Sequence, residues 1–318
     1  MSILVEKSGI LTTVQDLGRD GYRRLGINPT GAMDTAAGRI ANILVGNDDN
    51  EAVLEMHFPA PNLVFETHAL IAVAGADFGA TLDGEAIKNW ASHHVPAGKQ
   101  LRFSSRNSGA RAYLAVRGGF AIDEWLGSYS TNLAAGHGGF EGRRLEEGDR
   151  LGIKKTGATL SVSASASLLP HYTAFPTLRV IAGAEFDQLT DAGKATLLNE
   201  DFEISRDSNR MGFRLNGSSV IRSTREEIVS SAVAFGTVQL LPDGQLIVLM
   251  ADHQTSGGYP RVAHIVSRDL PLIAQLNAGD KVAFHLIEID EAEALAAEFE
   301  RKLNFLRVGC RLLANPQT

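Results

Sequence analysis

Short strings recur along this chain, and a duplicated segment restricts the available architectures more than composition does. Val73-Ala74-Gly75-Ala76-Asp77-Phe78 returns as Ile181-Ala182-Gly183-Ala184-Glu185-Phe186. Pro96-Ala97-Gly98-Lys99-Gln100-Leu101-Arg102-Phe103 has a counterpart in Asn277-Ala278-Gly279-Asp280-Lys281-Val282-Ala283-Phe284, each a glycine turn feeding a strand that ends in Phe. These echoes imply two similar β halves. A third pair, Gly21-Tyr22-Arg23-Arg24-Leu25 and Gly258-Tyr259-Pro260-Arg261-Val262, stands out of order relative to the first. It reads either as a permuted segment, exchanged between the first half and the second, or as chance likeness over a short string.

Strand signals agree with the echoes. Glycine contributes 32 of 318 residues, above the usual share of roughly 7%, which favours a turn-rich β protein. Runs that read as strands are Leu63–Phe65, Leu70–Ala74, Gln100–Ser104, Arg111–Val116, Thr159–Ser163, Leu178–Ala182, Gly236–Leu240, Leu246–Met250 and Lys281–Ile287. Asp83-Gly84 and Asp243-Gly244 have the composition of hairpin turns. Helical periodicity predicts three helices, over Asp34–Val45, Thr190–Leu198 and Asp290–Leu306. The Ser/Ala tract from Ser161 to Ser167 is either an edge strand or a linker, and it divides the chain into residues 1–170 and 171–318.

Composition excludes several functions. A net charge of −7 and a pI near 5.7 argue against non-specific binding of nucleic acid or anionic membrane. The lone Cys310 removes any internal disulfide framework and any cysteine-based zinc site. His93-His94 would point to opposite faces of a strand, and no metal site is expected. Gly193-Lys194-Ala195-Thr196 lacks the spacing and the hydroxyl of a phosphate-binding loop. Residues 1–20 carry Glu6, Lys7, Asp16 and Arg19 and do not form a secretory signal. No apolar run approaches the roughly 18 residues of a spanning helix. A cytoplasmic location is the expectation.

Candidate chemistry collects on a few loops. Asp252-His253-Gln254-Thr255-Ser256-Gly257-Gly258-Tyr259-Pro260-Arg261 follows a buried apolar run, so a strand end delivers a carboxylate, an imidazole, an amide and a hydroxyl onto a glycine-rich turn. The same string also suits a plain tight turn. In the tract from Gly9 to Tyr22, Gln15, Asp16 and Arg19 offer polar groups, with Asp16 and Arg19 either paired to each other or facing substrate. Asp34 has the position of a helix cap and Gly46 that of a helix stop. The turns Gly118-Gly119-Phe120, Leu126 to Thr131 and Gly136 to Arg143 either cradle an anion, with the hydroxyls of Ser128, Ser130 and Thr131 and the Arg143 side chain assisting, or are plain barrel turns without a ligand. Arg210, in Ser208-Asn209-Arg210-Met211-Gly212, offers a planar fork for a carboxylate or phosphate, or a surface partner for Asp207.

Taken together, Thr12-Thr13-Val14-Gln15-Asp16-Leu17-Gly18-Arg19, Gly31-Ala32-Met33-Asp34, Ala41-Asn42-Ile43-Leu44-Val45-Gly46-Asn47, the Arg210 loop and Asp252 to Pro260 closely resemble the biotin-dependent carboxyltransferase-like family. That family is also called allophanate hydrolase subunit 2, and it includes the C subunit of 5-oxoprolinase and the regulator KipA. The resemblance implies a mainly β fold of two cyclophilin-like β-barrel domains with a few short helices and a C-terminal helix. It implies one component of an ATP-dependent hydrolase of a cyclic amide, foremost 5-oxoprolinase, which converts 5-oxoproline to glutamate. The expected partners are the B subunit or a KipI-like protein, the lactam-opening A subunit, and a small-molecule substrate. The complex would use ATP, although no cofactor-binding motif is recognisable in this chain. Two other readings accompany it: a carboxyltransferase component acting on a urea-type substrate with carboxybiotin, and a non-catalytic KipA-like regulator. The motif positions nominate Asp252, His253, Gln254 and Thr255 for catalysis. They nominate Gln15, Asp16, Arg19, Ser130, Thr131, Arg210, Gly257, Gly258 and Tyr259 for substrate binding. Asn209 and Ser256 stand where the family usually has Asp and Thr, and both retain hydrogen-bonding capacity.

Overall fold

A computed structural model describes residues 1–154, 161–224 and 227–314. The chain forms two compact units: residues 1–19, 30–170 and 300–318 make the first, and residues 20–29 and 171–299 the second. Unit 1 carries β1 (Ser2–Lys7), β2 (Thr12–Gln15), helix α1 (Thr35–Leu44), β3 (Val53–His57), β4 (Asn62–Phe65) and β5 (Ala69–Asp77). It continues with β6 (Ala80–Leu82), β7 (Glu85–Ala86), β8 (Ala91–Val95), β9 (Gln100–Phe103), β10 (Ser108–Val116) and β11 (Arg150–Gly152). Unit 2 holds β12 (Thr177–Ala182), α2 (Asp191–Asn199), β13 (Asp201–Ile204), β14 (Gly212–Asn216), β15 (Ser231–Ala232) and β16 (Thr237–Leu240). It adds β17 (Leu246–Leu249), β18 (Ser256–Gly257), β19 (Arg261–Ile265), α3 (Leu270–Ala274) and β20 (Lys281–Leu286). Helix α4 (Ile289–Ala314) follows, its residues from Glu300 onward counting with unit 1.

The fold is mainly β, as the short strands and glycine turns predict. In unit 1 the ladders form a six-stranded sheet, β11-β1-β4-β9-β6-β7, and a five-stranded sheet, β2-β3-β10-β5-β8. In unit 2 the order β12-β19-β16-β17-β14-β13-β20 closes into a barrel, because β20 also pairs with β12, in parallel. Ile3, Val5, Leu63, Phe65 and Leu101 of the first sheet share one core with Val14, Leu54, Met56, Ile71, Leu114 and Val116 of the second. Each such side chain contributes about 1.5–3 kcal/mol when fully buried.

Strand β10 is buried from Ala110 to Val116 because both of its faces are covered. Ala112, Leu114 and Val116 enter the core between the sheets, while helix α1 packs on β5 and β10. Alternate side chains point to opposite faces, so Tyr113 meets the start of that helix. Its hydroxyl donates to Glu55 Oε2 at 2.7 Å and accepts from the Asp34 backbone N–H at 2.8 Å. Asp34 in turn caps α1, its carboxylate accepting from the Ala37 N–H at 2.9 Å. Gly46, with φ of 75°, ends the helix as the sequence predicts.

The second echo is a repeated backbone device. Gly98 N donates to Phe65 O, Phe65 N to Lys99 O and Lys99 N to Pro96 O. Gly279 N, Ile204 N and Asp280 N donate in the same pattern to Ile204 O, Asp280 O and Asn277 O. A third copy, unread in the sequence, occurs at Glu146 to Asp149, where Gly148 N, Val5 N and Asp149 N donate to Val5 O, Asp149 O and Glu146 O. The three glycines have φ of 84°, 90° and 91°. A Cβ on any of them would meet no atom within 4 Å, so conformation, not space, demands glycine there.

Other expectations differ from the structure. Arg23 to Leu25 forms a 3-10 turn whereas Arg261 to Ile265 is strand, so the third echo carries no shared local structure. Thr12 to Gln15, read as part of a polar tract, is a strand buried at every position. Of the predicted strand Thr159–Ser163, Thr159 and Leu160 lie outside the described residues, and Ser163 makes only an isolated bridge to Ala91. Helix α4 runs eight residues past the predicted Leu306.

The Tyr113 network predicts its own weakness. Tyr113→Phe takes an acceptor from the Asp34 N–H and a donor from a buried carboxylate, so the unfolding free energy should fall by about 3 kcal/mol. Urea denaturation measures it, and a change below about 0.5 kcal/mol would refute the argument.

Candidate functional site

The residues singled out in the sequence gather into two groups, one in each unit. In unit 1 the chain leaves β2 at Gln15 and turns through Asp16 to Arg19. Asp16 is 2% exposed. Its Oδ1 accepts from Gly18 N at 2.8 Å and from the hydroxyls of Ser128 and Ser130, and its Oδ2 from Tyr129 N at 2.6 Å. A buried carboxylate is tolerated when donors surround it in this way. Arg19 is 1% exposed and grips the same segment, donating from Nη2 to Ser130 O, from Nη1 to Thr30 Oγ1, and stacking over Trp125 at 4.6 Å. Among the described residues, Asp16 is held by the Ser128 to Ser130 loop and not by Arg19.

Gln15 is fully buried, donating to Thr13 Oγ1 at 3.0 Å, while its Oε1 has no donor among the described residues. Thr131 sits beside it, its hydroxyl donating to Val14 O and its carbonyl accepting from Gln15 Nε2. Gly139 comes so close that a Cβ there would reach within 1.9 Å of Thr131 Oγ1. The glycine turns beyond this point flank an open cleft of about 480 Å³ with Trp125 and His137 stacked at 5.1 Å. Arg143, considered as an anion ligand, is occupied by Glu141 and Asp149.

In unit 2 the strand β17 ends at Leu249 and delivers Asp252 and His253. Asp252 does not face solvent alone. Arg210 forks onto it, Nε to Oδ2 at 2.9 Å and Nη2 to Oδ1 at 3.0 Å, and Asp252 N donates back to Arg210 O at 2.8 Å. This bidentate pair joins the Arg210 loop to the His253 loop, so Asp207 is not its partner. The Asp252 carbonyl accepts from Asn28 Nδ2 at 2.9 Å.

His253 is 1% exposed. Its Nδ1 lies 2.6 Å from Gln254 O, which makes Nδ1 the protonated nitrogen and leaves Nε2 as the basic one. Burial, reinforced by the charge of Arg23, holds the imidazole below the ordinary histidine value, against the opposing pull of the Gln254 carbonyl and Asp252. It is neutral at pH 7. Gln254 and Thr255 follow on the half-buried turn that leads to Gly257. A Cβ on Gly257 would lie 2.8 Å from Gln239 Nε2 and 3.4 Å from Gln254 Nε2, so two carboxamides converge on this glycine. Gly258 and the half-exposed Tyr259 border a cleft of about 880 Å³ with Ile221, Ile228 and Leu241.

Sequence reasoning missed Gln239, which is fully buried with an Oε1 that no described residue donates to. A signal existed: Thr237-Val238-Gln239 repeats Thr13-Val14-Gln15, and both glutamines have the same unanswered oxygen. It also missed Arg23. Among the described residues no cluster of His, Cys, Asp and Glu could hold a metal ion, and no helix is long and apolar enough to cross a membrane.

Two measurements check this geometry. Asp16→Ala strands four donors, two of them hydroxyls, and should lower the unfolding free energy by about 3–5 kcal/mol in denaturant titration; a loss under about 1 kcal/mol would contradict the network. For His253 the folded state rejects a proton that the unfolded chain accepts, so its stabilising contribution is whole above the unfolded value of 6.5 and declines as pH falls below it. His253→Gln should therefore flatten the fall in stability on acidification, by up to about 1.4 kcal/mol per pH unit. An unchanged slope would show that His253 titrates alike in both states.

Several known proteins resemble the chain over most of its length. Over 96% of its length the chain is 39% identical to the C subunit of 5-oxoprolinase from Escherichia coli, covering 97% of that protein. It is 34% identical to the C subunit of 5-oxoprolinase from Haemophilus influenzae, covering 93% of this chain and 94% of that one. Urea amidolyase of Saccharomyces cerevisiae is 29% identical over 92% of this chain, which corresponds to 17% of that larger protein. The crystal structure of K. lactis urea amidolyase superposes with a TM-score of 0.89 at 28% identity, over 96% of this chain and 20% of that one. Residues 25–286 match the family described as carboxyltransferase domain, subdomain A and B, and the chain belongs to that family.

Proposed function

We propose that the chain is the C subunit of a 5-oxoprolinase, opening the lactam of 5-oxoproline to glutamate at the expense of ATP together with partner proteins. The observation that supports this best is co-extension: the C subunits of two 5-oxoprolinases match this chain almost from end to end. A cyclic amide resists hydrolysis because resonance stabilises it. Transfer of the γ-phosphoryl group of ATP to the amide oxygen releases ADP and makes the ring carbon electrophilic. Water then adds to that carbon, the C–N bond breaks, and a second water releases phosphate from the acyl phosphate to leave glutamate.

This chain supplies groups suited to a water-addition step. Neutral His253, with Nε2 basic at pH 7, takes the proton of the attacking water, while Gln254 and Thr255 orient the amide. Arg210 and Asp252 act by holding that loop in place. The Oε1 of Gln239, lacking a donor among the described residues, accepts an N–H such as the lactam presents. ATP binding and the complementary B and A subunits belong to the complex as a whole. A carboxyltransferase acting on a urea-type substrate is the second reading, supported by the close superposition on urea amidolyase.

Purified chain mixed with its partner proteins should release glutamate from 5-oxoproline only when ATP is present. Failure in the full complex, with carboxyl transfer from carboxybiotin to urea instead, would establish the second reading. Asp252→Ala should reduce turnover at least about 100-fold by freeing Arg210 and the His253 loop. His253→Ala that kept full turnover would remove the proton-carrier role.

A further inference from the structure

Beside the His253 loop, unit 2 contains a cleft of about 350 Å³, within the roughly 300–1,000 Å³ range of small-molecule sites. Its walls are small: Ala182, Gly183, Ala232 and Ala234 leave the space to a ligand. Gly183 cannot be enlarged, since a Cβ there would lie 2.0 Å from Arg261 O. Four side chains, Arg23, Thr237, Arg261 and His264, bring charge or hydrogen bonding to this cleft, and they differ in what already occupies them.

Arg261 is committed. Its Nε and Nη2 fork onto Glu185 at 3.0 and 2.8 Å, and its backbone N–H donates to the same carboxylate at 2.8 Å. His264 faces Thr237 Oγ1 through Nδ1 at 3.3 Å, and no described residue pairs with its Nε2. Arg23 is different. It is exposed, it donates from Nη1 to Val233 O at 3.0 Å, and no carboxylate among the described residues meets it. A guanidinium has five N–H donors, so this one contact leaves the other donors of the fork without a partner among the described residues.

We propose that this cleft is a binding site for a small monocarboxylate, with Arg23 as its cation and His264 Nε2 as a second polar contact. A single unneutralised positive charge suits a monoanion, because the charge of Arg261 is already balanced by Glu185. Burial holds His264 below the ordinary histidine value, so at pH 7 it adds hydrogen-bonding capacity and no second charge. A phosphate dianion would find one cation where it needs two. The same Arg23 charge is felt by His253, and a carboxylate bound at Arg23 therefore pushes the pKa of His253 back up. The assignment deepens the proposed function, on which it rests for the ligand's identity: the carboxylate of 5-oxoproline docks on Arg23 and its lactam extends toward the His253 loop. Arg23 is then a specificity-determining residue that separates 5-oxoproline from lactams without an acid group.

Histidine ring NMR on the full chain tests this with three probes: acetate, neutral acetamide and 5-oxoproline. Acetate and 5-oxoproline should shift the His264 resonances saturably and raise the measured pKa of His253, and acetamide should do neither. Arg23→Ala should weaken both acids at least about tenfold, with Arg23→Lys recovering part of the loss. Arg23 is exposed on a turn, so far-UV circular dichroism of the variants should match the parent. Absence of saturable shifts with acetate, or equal affinity in Arg23→Ala, overturns the site. Saturable acetate binding without any response to 5-oxoproline keeps the site and counts against the proposed substrate instead.

Discussion

The Arg210–Asp252 pair is the contact on which the chemistry of unit 2 depends. Two polar loops meet here, one leading into β14 and the other leaving β17. The bidentate ion pair, closed by the hydrogen bond from Asp252 N to Arg210 O, gives them one geometry. Breaking such a partly buried pair costs far more than making it gains, since the charge left behind is desolvated and unpaired. The loop can then hold His253 buried, point Nε2 away from Gln254 O, and place Gly257 against the carboxamides of Gln239 and Gln254.

Unit 1 solves the same problem with different parts. Asp16 also follows a fully buried strand, but its partners are two serine hydroxyls and two backbone N–H groups in place of an arginine. Arg19 reaches the same loop through a carbonyl and the face of Trp125. Both devices satisfy a carboxylate at a strand end with donors supplied by a distant loop. In each case a glycine admits a close approach that a side chain would block, the Thr131 hydroxyl at Gly139 and the carboxamides at Gly257. Against these saturated charges Arg23 stands apart, which is why it is the cation assigned to a ligand.

Much of this was legible before any fold was known. The cap at Asp34, the stop at Gly46 and the turn glycines Gly98 and Gly279 announce themselves because each is a local backbone requirement with few residue solutions. The strand β2 did not, because Thr12 to Gln15 is buried on both faces and so loses the alternation that marks a half-buried strand. Gln239 was hidden by its apolar neighbours, although the repeated Thr-Val-Gln offered a clue. Arg210 was recognised as a fork for an anion, and the anion in the structure is Asp252, 42 residues away. Spacing along a chain carries no information about a pair at that separation.

The sequence by itself determined the class of fold, its internal repetition, the helix limits set by caps and the loops on which polar chemistry gathers. Each follows from periodicity or from the backbone preferences of single residues, which act within a few positions. Only the tertiary structure decided that unit 2 closes as a barrel while unit 1 splits its ladders between two sheets. It also decided which polar groups are spent on one another, Asp16 on Ser128 and Ser130 and Asp252 on Arg210, and which remain available among the described residues, His253 Nε2 and most of the Arg23 fork. The reason is physical: hydrogen bonds and ion pairs are saturable, so what a side chain can still do depends on the partners that folding brings to it.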